Sequence, residues 1–104
     1  MTSRSTVKLC PIEKTLKMIV GKWKTIILWH LSSGLKRYGE LKKLIPTVSE
    51  KMLIQALRAL EKDALIKRRV YPEVPPHVAY TLTKKGQSLS AVLCALDTWG
   101  KKNT

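Results

Sequence analysis

Acidic residues are scarce in this chain. Seven Asp+Glu stand against 20 Lys+Arg in 104 residues, a net charge of +13. That excess favours a polyanion, nucleic acid first, although an anionic membrane or an acidic protein partner would satisfy the charge equally well. Histidines are equally few. His30 and His77 stand apart with no clustered carboxylates, no Gly-rich phosphate loop and no ligand spacing, so neither a catalytic constellation nor a metal centre is expected, and no cofactor. His30 reads as a packed or capping residue of a helix. The two cysteines, Cys10 and Cys94, occupy unlike settings and form no disulfide framework, nor, with so few histidines, a zinc site. Long apolar runs are absent as well. The stretch from Ile26 to Trp29 is far too short to span a bilayer, and Met1 to Leu9 has no apolar core of the signal-peptide kind. A cytoplasmic protein with reduced thiols and no membrane partner is the expectation.

What remains is an ordinary globular composition, 44% hydrophobic and 26% charged, of a length that suits one small core. Residues 1–9 read as a flexible N-terminal arm and residues 10–104 as one domain. Cys10-Pro11-Ile12-Glu13 looks like a helix start, with Pro at the first helical position and Glu13 placed to reach back as a cap. Ile12, Leu16, Ile19 and Val20 give that helix an apolar face, and Gly21 ends or bends it. A second helix is expected over Lys22 to Leu31, with Trp23, Ile26, Ile27 and Leu31 inward, stopped by Ser32-Ser33-Gly34. Lys36-Arg37-Tyr38 reads as a short extended link before a brief helix from Gly39 to Leu44, closed by Pro46.

The most informative stretch is Ser49 to Lys62. Leu53, Ala56, Leu57 and Leu60 recur at i, i+3, i+4 and i+7, which puts them on one stripe of a helix. Lys51, Gln55, Arg58 and Lys62 then fall on the opposite side. Thr47 and Ser49 are both suitable N-caps, and the spacing does not choose between them. Two helices about four residues apart, the second with a basic outer face, make a helix-turn-helix. A helix of this kind fits the DNA major groove. Leu65 to Tyr71 and Val78 to Thr81 are strand-like runs joined by a proline-rich loop, a two-stranded wing carrying Lys67, Arg68 and Arg69. Thr83 is expected to cap a last helix that runs unbroken to about Lys101. Its stripe of Leu89, Val92, Leu93, Leu96 and Trp99 needs a second surface, and a partner subunit is the simplest one, with folding back on the first helix as the alternative. The fold class is therefore α+β and mainly α: a winged helix-turn-helix with dimerisation helices at both ends.

The chain also resembles a known family, the HxlR-type winged helix-turn-helix regulators of bacteria and archaea. The similarity rests on Cys10-Pro11, Gly21-Lys22-Trp23 with Ile27-Leu28 and Leu31, Tyr38-Gly39-Glu40-Leu41, Ile45-Pro46-Thr47-Val48-Ser49, Lys51-Met52-Leu53, Leu57, Leu60, Pro75-Pro76, Tyr80-Thr81-Leu82-Thr83 and Gly86. These matches keep one order from Cys10 to Trp99. The resemblance implies a homodimer that binds a pseudo-palindromic operator on double-stranded DNA, usually as a repressor. It also implies that the Ser49–Lys62 helix enters the major groove and the Pro75-Pro76 loop the neighbouring minor groove. Some members sense oxidants or electrophiles through the cysteine at the place of Cys10, so a small reactive inducer is expected.

On this reading Lys51 and Gln55 are the residues for base edges, since Gln suits adenine and Lys suits guanine. Ser49 and the first helical N–H groups suit a phosphate, as do Arg58, Lys43, Arg68 and Arg69. His77, at the wing tip, is the minor-groove candidate. Cys10 as a helix N-cap near Lys8 and Lys14 favours a thiolate, which Glu13 opposes. Two other functions fit the same charge. One is a sequence-neutral architectural DNA coat. The other is a regulator with an inert thiol that binds a small ligand between its first and last helices.

Overall fold

Leu53, Leu57 and Leu60, fully buried along one side of a single helix, are the wall against which the second helix and the sheet pack. The computed structural model describes residues 10–104; the arm expected at residues 1–9 lies outside them. In chain order the elements are α1 (Pro11–Ile19), α2 (Lys24–Leu31), β1 (Lys36–Arg37), α3 (Tyr38–Leu44), α4 (Glu50–Lys62), β2 (Ile66–Tyr71), β3 (His77–Leu82), α5 (Lys84–Gln87) and α6 (Ser90–Asn103). Helices α2, α3 and α4 enclose the core with Ile27, Leu28, Leu31 and Leu41, the α3–α4 turn adds Ile45 and Val48, and Leu65 with Ile66 and Tyr80 of the sheet closes it. Apart from the tyrosine phenols, no polar or charged side chain is buried among the described residues.

Local chemistry sets the element ends. Pro11 opens α1, and the Glu13 carboxylate accepts the Cys10 N–H at 3.1 Å, as the capping pattern requires. Gly21 has φ +145°, a conformation few L side chains adopt, and bends the chain from α1 into α2. The Thr25 hydroxyl pins that bend by donating to the Ile19 carbonyl at 2.7 Å. Helix α2 thus begins at Lys24 rather than Lys22, and Ile26 is 39% exposed instead of inward.

The sheet is antiparallel with order β1-β3-β2. Ile66 pairs with Leu82, Arg68 with Tyr80, Val70 with Val78 and Tyr71 with His77. The expected two-stranded wing is present, and Lys36-Arg37 adds a third strand opposite Tyr80 and Ala79. That link extends the ladder because β3 would otherwise leave a row of backbone groups unpaired.

Three successive carbonyls at the α4–β2 junction hold the next segment. Asp63 O accepts from Lys85 Nζ at 2.9 Å, Ala64 O from the Thr83 hydroxyl at 2.6 Å, and Leu65 O from Thr83 N at 3.1 Å. Thr83 caps α5, its hydroxyl accepting the Gly86 N–H at 3.0 Å. The helix expected to run unbroken from there instead stops after one turn. Gly86 lies directly on the Leu65 carbonyl, which aims α5 at the body. The Ser88 hydroxyl donates to the Lys85 carbonyl, a bond that competes with helix continuation. After Ser88 and Leu89 the chain leaves in a new direction as α6.

A Cβ on Gly86 would overlap the Leu65 carbonyl oxygen. Gly86→Ala is therefore expected to destabilise the fold by about 1–3 kcal/mol through overpacking, lowering the urea midpoint with an unchanged slope. The same substitution at Gly39, whose Cβ would meet nothing within 4 Å, is the control.

Candidate nucleic-acid interface

The helix-turn-helix is assembled by backbone bonds that long side chains complete. The Glu40 carboxylate accepts the Arg37 N–H at 2.7 Å and so caps α3. The turn that follows buries Ile45 and Val48, and Lys42 Nζ donates to the Val48 carbonyl at 2.8 Å across it. Of the two cap residues left open by the sequence, Ser49 is the one used: its Oγ accepts the Met52 N–H at 3.1 Å. With the leucine stripe of α4 inward, Lys51, Gln55, Arg58 and Lys62 form an exposed ridge. Among the described residues none of these four is in an ion pair.

The ridge has two unlike flanks. On one side lies a cleft of about 760 Å³ between α4, α3 and the sheet. It brings together Lys43, Arg58, Arg68 and His77, with Ile54 and Tyr80 among its walls. Arg68 reaches Glu61 of α4 at 3.8 Å, an exposed pair of little energetic weight. On the other side lies a shallower trough toward the start of α2, bordered by Met52, Gln55 and Ala59.

The sheet separates residues that neighbour each other in sequence. Arg68 is paired with Tyr80 and turns toward the cleft, whereas Arg69, paired with Ala79, belongs to the opposite face with Lys67. His77 is the first residue of β3 and not the loop tip. Its ring stacks on Tyr71 with centroids 4.7 Å apart, and its Nδ1 lies 3.6 Å from the Glu73 carboxylate. The loop itself presents Val74, 98% exposed.

Two tyrosines that stand in the family-like motifs of the sequence, with no site role expected of them there, also belong to the site. Tyr38 Oη is buried without a hydrogen-bond partner among the described residues. Burial, with the Glu50 carboxylate adding to it, pushes its phenol above the ordinary value of 10.0. Burial is also the main cause of the upward direction at Tyr80. Glu61 and Tyr38 add to it there, and Arg68 and Arg58 oppose it. Both phenols hold their protons longer in the fold than in the unfolded chain. Their stability is intact at neutral pH and is lost as pH rises past about 10.

The remaining predicted residues sit elsewhere. Cys10 is exposed at the start of α1, and Cys94 is exposed on α6. The apolar stripe of α6 is divided: Leu93 is buried and Leu89 packs against the core, while Val92, Leu96 and Trp99 remain 40%, 51% and 65% exposed. On α1 and its C-cap, Ile12, Leu16 and Val20 are exposed in the same way. Among the described residues no group of three His, Cys, Asp or Glu could hold a metal ion, and no helix is long and apolar enough to cross a membrane.

A helix-turn-helix followed by a β-hairpin packed on the same core defines the winged helix-turn-helix class. Sequence comparison narrows the class to one family. Residues 18–104 match the HxlR-like helix-turn-helix family, and the chain belongs to it. The HTH-type transcriptional regulator YdeP of Bacillus subtilis is 48% identical over 93 residues, 89% of this chain and 73% of YdeP. The redox regulator HypR in its oxidised form superposes with a TM-score of 0.86 at 41% identity, covering 91% of this chain and 98% of that one. The reduced form of the transcriptional regulator YodB from B. subtilis gives 0.79 at 36% identity, covering 92% and 95%. The protein is thus a DNA-binding transcriptional regulator of the HTH type, like its relatives, and not an enzyme.

The buried Tyr38 hydroxyl yields a direct test. Tyr38→Phe removes a polar atom whose desolvation no protein partner offsets, so stability is expected to rise by about 1 kcal/mol, read as a higher urea midpoint.

Proposed function

We propose that the protein works as a homodimer that binds a pseudo-palindromic operator and represses the adjoining promoter from within the cytoplasm. The observation that carries this reading is the pairing of an unpartnered cationic ridge on α4 with exposed apolar faces on α1 and α6. The ridge supplies the reading head, with Lys51 and Gln55 for base edges and Arg58, Lys43 and the start of α4 at Ser49 for phosphate. Arg68 and Arg69, on opposite faces of the wing, serve different phosphates, and His77 supports the loop that enters the minor groove. Val92, Leu96 and Trp99, with Ile12, Leu16 and Val20, supply the surface that a second copy covers, and Leu89 and Leu93 anchor α6 beneath it. Two-fold symmetry then sets two ridges about 34 Å apart, one turn of DNA.

Selection of bound sites from a random duplex library is expected to return an inverted repeat with half-sites about one turn apart. Continuous protection with no enriched motif would instead favour an architectural coat.

Cys10 fits a sensing role, supported by its exposure at the start of α1 beside the proposed dimer face and by similarity to a redox regulator. Its thiolate attacks a peroxide oxygen, giving a sulfenate and releasing water or alcohol. Condensation with the Cys10 or Cys94 thiol of a second copy releases water and forms a disulfide. Cys10→Ser is expected to keep operator affinity within about twofold of the unsubstituted protein. It is also expected to abolish the change in affinity that peroxide produces. A response unchanged by the substitution would point to a ligand bound between α1 and α6.

A further inference from the structure

The trough on the side of α4 away from the wing carries its own cations. It is formed by Gly21, Lys22, Trp23 and Lys24 at the bend before α2, facing Met52, Gln55 and Ala59 of α4. Lys22 is exposed and Lys24 half-buried, and neither is in an ion pair among the described residues. Lys22 Nζ rides 5.0 Å from the centroid of the Trp23 ring, and Trp23 is itself packed on the core. The Lys24 stem lies over Gly21, 3.6 Å from where a Cβ would be. With Gly21 at φ +145° and Thr25 bonded to Ile19 O, the bend displays both ammonium groups on a fixed frame. The first turn of α2 contains no carboxylate to neutralise them.

Geometry decides what these lysines meet. A helix with its side chains is about 10–12 Å across, and the major groove is about 12 Å wide. A helix seated there fills the groove, so whatever flanks it on either side lies against a phosphate backbone. Toward the wing that flank holds Lys43, Arg58 and Arg68. On the other flank it holds Lys22 and Lys24. We infer that Lys22 and Lys24 form a second phosphate clamp, gripping the strand across the major groove from the one held on the wing side. Gln55, which borders their trough, reads bases between the two clamps. This inference rests on α4 being the recognition helix.

The test is the salt dependence of binding to a selected operator and to random duplex. It compares the unsubstituted protein, K22Q/K24Q, R58Q and K101Q/K102Q, the last removing equal formal charge from the last turn of α6. For K22Q/K24Q the slope of log K against log salt should fall by about 0.9 for each phosphate no longer neutralised, about 2 per half-site. Kd near 0.1 M salt should rise roughly tenfold or more on both duplexes, leaving sequence preference unchanged. R58Q, which removes one cation, should lower the slope by about 0.9 per half-site, and K101Q/K102Q should change it by less than half as much as K22Q/K24Q. A K22Q/K24Q slope equal to that of the unsubstituted protein, or a K101Q/K102Q loss as large, overturns the clamp. If R58Q weakens binding and K22Q/K24Q does not, only the clamp fails. If neither does, the recognition-helix reading fails with it. Unchanged urea midpoints exclude unfolding as the cause.

Discussion

The structure depends on the burial of one helix face. Leu53, Leu57 and Leu60 are inaccessible because α2, α3 and the sheet converge on them, and removing any one would cost about 2–5 kcal/mol in a core this small. The same burial fixes the helix's rotation about its axis. With the leucines inward, Lys51, Gln55, Arg58 and Lys62 can only point out, so the constraint that stabilises the fold also aims the cationic ridge.

The two ends of α4 are held by different means. Ser49 caps the start from within, and Lys42 of α3 reaches over the turn to the Val48 carbonyl, which ties α3 to the approach of α4. At the far end Ala64, at φ 60°, reverses the chain into β2, and its carbonyl and those on either side of it are taken by Thr83 and Lys85. Helix α4, the wing and the exit toward α6 are thereby tied at one junction.

Much of this is legible in the sequence. Period 3.6 over Leu53 to Leu60 identifies α4 and its outward face, and Thr83 and the Cys10–Glu13 box mark helix starts that the structure keeps. Other features carry no local signal. Two residues, Lys36-Arg37, cannot show alternation, so β1 emerges only when β3 offers it a partner. The adjacent cations Arg68 and Arg69 read as one cluster until pleating places them on opposite faces. The break at Ser88–Leu89 arises because Gly86 must meet the Leu65 carbonyl, a contact between distant parts of the chain. Ile26 reads as core by its apolarity, yet it borders a groove shared with Trp29, Leu93 and Leu96.

That break gives α6 the character of a lever. Fourteen residues at about 1.5 Å each extend roughly 20 Å from the bend, so a tilt of about 5° at Ser88–Leu89 moves Trp99 to Asn103 by more than 1 Å. The fulcrum is the contact of Gly86 with Leu65, and the body it bears on carries the cationic ridge of α4. A change too small to disturb any buried side chain at the pivot is thereby magnified at the far end of the arm.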